Sequence, residues 1–190
     1  RTTCTLSPAQ LAFAQKRARN GGWSDNAHFE LRDYRDLAGQ FDHIVSIEMF
    51  EAVGERFWPS YFKQLRAGLK PGGRAVVQSI TIANERFAAY RRGTDFIQRH
   101  IFPGGMLPSP EVFERRLTSA DLRITDSFAF GLGYARTLAH WHQRFAAAWP
   151  AIAGQGFDER FRRLWSFYLA YCEAGFRSGA TDVYQFTIEA

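Results

Sequence analysis

Two periodicities organise the apolar residues of this chain. Ile44, Val45 and Ile47 follow Asp42 as a nearly unbroken apolar run, the mark of a strand buried on both faces of a parallel sheet. Residues 74–82, RAVVQSITI, repeat that character with β-branched side chains. Residues 183–188 alternate like a half-buried strand, and 122–130 read as another. Two shorter strands are predicted over 1–5 and 28–32. Elsewhere the period lengthens to that of a helix. Phe57, Tyr61, Leu65 and Leu69 recur every four residues across 55–69. Phe157, Phe161, Leu164, Trp165, Tyr168, Leu169, Cys172 and Phe176 trace one face of a final helix. Further helices are predicted over 84–100, from Ser109 to about residue 120, and over 134–149.

Turn and cap residues fix the boundaries. Ser7-Pro8-Ala9-Gln10 predicts a helix start, with Ser7 as cap, Pro8 in the first turn and Gln10 closing a capping box; Asn20-Gly21-Gly22 ends that helix. Lys70-Pro71-Gly72-Gly73 closes the helix over 55–69. Residues 101–110, IFPGGMLPSP, hold three prolines and two glycines and cannot be helical. The alternation of strands and helices predicts a doubly wound α/β sheet with helices on both faces, in one domain over residues 1–190. A nucleotide-type sheet places a first strand and a glycine turn ahead of the second strand. This chain starts on what reads as the second strand, with Arg1 and not Met, so the first strand and its glycine loop are expected upstream.

The run over 42–47 passes directly into Glu48, Met49, Phe50 and Glu51. Two acids therefore fall just beyond the carboxyl end of a strand, the rim where open α/β sheets bind ligands. Either they are solvated loop residues or at least one is functional. Composition narrows the chemistry. The chain is 46% hydrophobic and carries 18 Phe, 7 Tyr and 5 Trp, a load that suits a pocket for a long apolar or cationic species. No run of eighteen apolar residues and no signal peptide is visible. Cys4 and Cys172 lie far apart and read as reduced thiols in a cytosolic setting. The formal charge of +5 permits attraction to nucleic acid or anionic lipid, but the basic clusters are short and read as solvated helix faces. The histidines are scattered, with His140 and His142 two apart on a predicted helix, and no cysteine pair has zinc spacing, so no metal is expected. Cys172, on an apolar helix face, reads as a small hydrophobe more readily than as a nucleophile.

Seven segments together resemble the cyclopropane-fatty-acyl-phospholipid synthase family, which includes the mycolic acid cyclopropane synthases. They are TLSPAQ from Thr5, DYRDL from Asp33, FDHIVSIEMFEAVG from Phe41, LKPGGRAVVQSITI from Leu69, HIFPGGMLPS from His100, FGLGYARTLAHW from Phe130 and YLAYCEAGFR from Tyr168. The resemblance spans essentially the whole chain. It implies a Rossmann-like class I methyltransferase sheet with inserted lipid-pocket helices. It also implies S-adenosylmethionine-dependent methylene transfer to a cis double bond of a phospholipid-bound acyl chain. A bound bicarbonate would deprotonate the carbocation so that a cyclopropane ring closes. Methyl-branching or methylene-adding chemistry on the same fold, and a non-catalytic lipid-binding fragment, are the alternatives.

Carried over by position, the resemblance assigns Glu51 to hold the bicarbonate, with Tyr134 and the Ile80 backbone donating to it and Cys172 nearby. Gln78 and Ala52 stand where better-known members carry histidine, and Gln78 is expected to keep an anion-binding role. Thr5, Leu6 and Gln10 are expected to line the cofactor, with Asp33, Tyr34 and Ile47 around its adenosine end. Peripheral contact with an anionic membrane is expected through loop-tip residues Phe102, Met106 and Leu107, unless these cover the pocket. A homodimer is compatible with the family, and no nucleic acid is implied.

Overall fold

The structure is a computed structural model that describes all 190 residues. Strand β1 (Thr2–Thr5) pairs in parallel with β2 (His28–Leu31), and helix α1 (Pro8–Asn20) connects them. Ser7 caps α1 by accepting from the Gln10 amide. The capping box is only half formed, because the Gln10 side chain accepts from the Thr5 hydroxyl at 2.7 Å instead of turning back to the cap. A second sheet contains β3 (Phe41–Ile47), β4 (Leu69–Ile82), β5 (Arg123–Ala129) and β6 (Thr181–Glu189) in the order β3-β4-β6-β5. Only β3 and β4 are parallel in it. The predicted doubly wound arrangement therefore appears as a parallel half joined to an antiparallel one.

Alternation along β4 and β6 sorts the core into two layers. Ala75, Val77, Phe186 and Ile188 face short helix α2 (Phe50–Val53), α3 (Trp58–Gly68) and α6 (Pro110–Thr118), whose Phe50, Trp58, Phe62 and Phe113 are fully buried. Phe50 is the hub of this layer. Its ring lies 4.9 to 5.2 Å from those of Trp58, Tyr61, Phe62 and Phe113. The opposite face carries Ile80 and Val183 against the long pair α7 (Gly131–Ala153) and α8 (Glu159–Arg177). The face predicted for the final helix holds, with Leu169 and Phe176 buried and Cys172 half-buried.

Four expectations need correction. The strand over 42–47 is not buried on both faces within these residues: it lies at a sheet edge, with Val45 65% and Ile47 62% exposed. Only its other face, with Ile44 and Ser46, packs on α3. The Pro-Gly-Gly stretch follows the end of α3 at Gly68, as expected, but not as a turn outside the sheet. It is absorbed into the strand, where the partner register jumps between Phe41/Leu69 and His43/Arg74. The helix over 84–100 breaks into α4 (Asn84–Arg92) and α5 (Phe96–His100), because Gly93 stops the first and Asp95 starts the second with a full capping box. Met106 is buried in the main core and is not a membrane-facing tip.

Phe50→Ala should cost about 3–5 kcal/mol of unfolding free energy in a urea titration, since a fully buried ring with four aromatic neighbours leaves a cavity the helices cannot close. A loss below about 1 kcal/mol would show that the hub role is wrong.

Candidate active site

The site begins where β3 runs out. The Glu48 amide continues the ladder, donating to the Gln78 carbonyl at 2.9 Å, but its backbone then turns left-handed at φ 50°. That region is costly for a side chain with a Cβ and is held only where surrounding contacts compensate. Here they are visible. The Glu48 carboxylate accepts from the Gln78 amide nitrogen at 2.8 Å and, through the same oxygen, from the Tyr134 hydroxyl. Gln78 also donates to the Tyr134 oxygen at 3.1 Å, and its own carbonyl accepts from Gln185 at 2.9 Å. Gln78, Ile80 and Gln185 project from the same sheet face, the one covered by α7, so strand alternation delivers them to Tyr134.

The turn at Glu48 starts α2, which buries Phe50 and returns Glu51 toward β4. One Glu51 carboxylate oxygen accepts from the Ile80 amide, while the other is buried without a partner. Loss of water raises the Glu51 carboxyl above the ordinary carboxylate range, and the neighbouring Glu48 charge adds to this against the hydrogen bond from Ile80. The Glu51 carbonyl meanwhile accepts from the Met106 amide at 2.9 Å, fastening the Pro-Gly-Gly loop to the acid. Desolvation, then Glu48, pushes the Tyr134 phenol up, so it stays a neutral donor. Phe130 and Phe176 flank it at ring separations of 5.6 and 5.5 Å. Burial pushes the Tyr168 phenol and the Cys172 thiol to about 12 each. Cys172 therefore packs against the Tyr134 layer as an inert thiol.

The structure thus brings Glu51, Gln78, Ile80 and Tyr134 together, with Cys172 beside them. Gln78 and Tyr134 both donate to Glu48, and the Ile80 amide donates to Glu51. Glu48 is the residue the sequence reading left without a role. Its signal was its place one step past the strand, beside the acid that was chosen. The second group lies apart. Thr5, Leu6 and Gln10 follow the end of β1, and Asp33 and Tyr34 follow β2, joined through the Arg32 amide on the Thr5 carbonyl at 3.0 Å. Arg35 grips both Asp33 oxygens at 2.9 and 2.7 Å and holds that carboxyl below its usual range. Ile47 ends β3 and is 62% exposed, and Leu6 is 70% exposed.

A family model for mycolic acid cyclopropane synthetase matches residues 2–186. The chain belongs to this family. Among curated relatives, tuberculostearic acid methyltransferase UfaA1 of Mycobacterium tuberculosis is 45% identical over 185 residues, covering 97% of this chain and 43% of its own. Cyclopropane-fatty-acyl-phospholipid synthase of Escherichia coli is 35% identical over 181 residues, covering 95% of this chain and 45% of its own. The chain thus spans under half the length of these two relatives. Among solved structures, the cyclopropane synthase MmaA2 from Mycobacterium tuberculosis superposes with a TM-score of 0.86 at 28% identity, covering 98% of this chain and 68% of that one. The mycolic acid cyclopropane synthase CmaA1, solved with SAH and CTAB, gives 0.84 at 27% identity, covering 100% and 69%. The fold is that of a class I S-adenosylmethionine-dependent methyltransferase.

Because its folded pKa is raised, Glu51 favours the native state while protonated, and that contribution fades as pH rises through the elevated value. Glu51→Gln keeps an acceptor for the Ile80 amide and carries no charge. Its melting temperature relative to the parent should therefore rise between pH 4 and pH 8. A flat difference over that window would show that the carboxylate is not desolvated.

Proposed function

We propose that this chain carries the chemical centre of an enzyme that transfers one carbon from S-adenosylmethionine to the cis double bond of a phospholipid-bound acyl chain, with Glu48 removing the proton. One observation carries this reading: a carboxylate of the chain itself occupies the two donors, Gln78 and Tyr134, that would otherwise hold a free base. With Glu48 on both donors, the base is a side chain of the chain itself in place of a bound bicarbonate.

Thr5, Leu6 and Gln10, with Asp33, Tyr34 and Ile47, would hold the cofactor. The exposed apolar Leu6 and Ile47 suit the faces of an adenine, and Asp33 suits a ribose diol. When bound, S-adenosylmethionine supplies an electrophilic methyl group. The alkene π pair forms the new carbon–carbon bond as the sulfur–methyl bond breaks, which leaves positive charge on the neighbouring alkene carbon. The rings of Phe130, Tyr134 and Phe176 present π faces that stabilise such a cation where water is scarce. Glu48, aligned by Gln78 and the neutral Tyr134, accepts the proton. Glu51 fixes the Ile80 backbone and the 101–110 loop, and so acts as a positioning residue. Proton loss after a hydride shift gives a methylene branch; proton loss from the incoming methyl gives a ring.

The greater identity to a tuberculostearic acid methyltransferase, together with a base fixed to the chain, favours the branched product. Ring closure is the second reading, supported by the likeness to the Escherichia coli cyclopropane synthase. The two products have the same mass, and proton spectra of the extracted lipids separate them, since only the branch keeps an alkene.

In the full-length protein, Glu48→Gln should lower kcat by about 10²–10⁴-fold. Glu48→Gly suits the left-handed backbone and vacates the anion position, so added bicarbonate should restore turnover to it and not to the glutamine variant. Full activity in Glu48→Gln, or no rescue of a folded glycine variant, would overturn the assignment of the base.

A further inference from the structure

On the other side of α2 from Gln78 and Tyr134 lies an open cleft of about 820 Å³ with a different character. Its walls carry Arg56, Arg91 and Arg116 against a single acid, Glu55, beside Pro103 and Gly104 of the loop fastened to Glu51. Glu55 is the hub of the charges. It accepts from Arg91 at 2.8 Å and pairs loosely with Arg116 at 3.9 Å. Two further facts show that the cations are not satisfied by that acid. The Nε of Arg116 is buried without any partner, and Arg56 makes no ion pair but rests over the Phe57 ring at 4.4 Å. Three guanidinium groups from separate elements thus converge on one cavity with one carboxylate among them. Each keeps unused planar donors suited to the paired oxygens of a phosphate.

We propose that this cleft binds the phosphate of a phospholipid headgroup at the membrane surface. The proposal takes from the preceding reading only that the substrate is a lipid. A phosphodiester bears one negative charge, which two guanidinium groups in excess over Glu55 can neutralise. It also carries unesterified oxygens for the outer guanidinium nitrogens at the cleft, those of Arg116 included, whose side chain is 40% exposed. A membrane source is favoured over a soluble phosphate by Phe102, which is 58% exposed directly next to Pro103 and Gly104 at the cleft wall. An apolar ring beside a cationic hollow is the pairing that an interfacial contact uses. Since the same loop is fastened to the Glu51 carbonyl, a headgroup held here would be registered against the acid that anchors the chemical site.

The test is co-sedimentation of the full-length protein with phosphatidylglycerol vesicles and with galactolipid vesicles that lack phosphate. No methyl donor is added, so binding is read apart from turnover and can fail separately from the reaction. Arg91→Gln/Arg116→Gln should weaken phosphatidylglycerol binding by roughly tenfold or more, the loss of one or two charge-assisted hydrogen bonds, and leave galactolipid binding unchanged. Should that variant melt early, Arg56→Gln, at an exposed position outside any ion pair, should weaken the same binding several-fold at an unchanged melting temperature. Inorganic phosphate should compete with the phosphatidylglycerol vesicles. Equal binding to both vesicle types, or phosphatidylglycerol binding indifferent to all three arginines, overturns the proposal. Phosphate that binds these arginines without affecting the vesicles overturns it too, and identifies a soluble-anion site.

Discussion

Everything at the centre of this molecule depends on two carboxylates met by donors just past the end of β3, one of which, Glu51, is largely taken out of water. Burying such groups costs free energy unless donors meet them. Here the donors come from β4 and α7: the Ile80 amide for Glu51, and the Gln78 amide and Tyr134 phenol for Glu48. The acids thereby tie an edge strand to the middle of the sheet and to a helix more than 80 residues downstream. The Phe50 ring between them supplies the apolar counterweight, since it locks the short helix that spaces the two acids into the main core.

The cost of that arrangement is carried by a few exceptional positions. Glu48 sits in left-handed backbone, one Glu51 oxygen has no partner, and Tyr134 is held far from ionising. Glu48 brings left-handed backbone and Glu51 an unpaired buried oxygen to the same short segment, the kind of local compromise that a functional site can hold.

Much of this was legible in the residues. Strand runs and the final helix were readable because their periods are strong, and the first helix because its cap, Ser7, acts locally. The features that escaped are those fixed by distant neighbours. Val45 and Ile47 look like core residues, and nothing nearby in sequence says that their side of the strand is open within these residues. Lys70 to Gly73 looks like a turn and became a bulge because β3 offered a partner across it. The resemblance pointed to Glu51, Gln78, Ile80 and Tyr134, and the fold does assemble them. It passed over Glu48, whose role depends on a backbone angle that no local pattern encodes. Arg91 and Arg116 were readable as solvated helix faces, because their convergence with Arg56 joins the segment after α2 with α4 and α6.

The backbone at residue 48 carries a consequence for how such a site can change over generations. Glycine occupies that conformation without penalty, and its codons lie a single nucleotide from those of glutamate. A lineage can therefore gain or lose the side chain that faces Gln78 and Tyr134 in one mutational step, with little disturbance to the strand before it or the helix after it. Relatives built on the same scaffold can in this way differ in the group that meets the Gln78 and Tyr134 donors, through heritable variation at a position whose neighbours stay as they are.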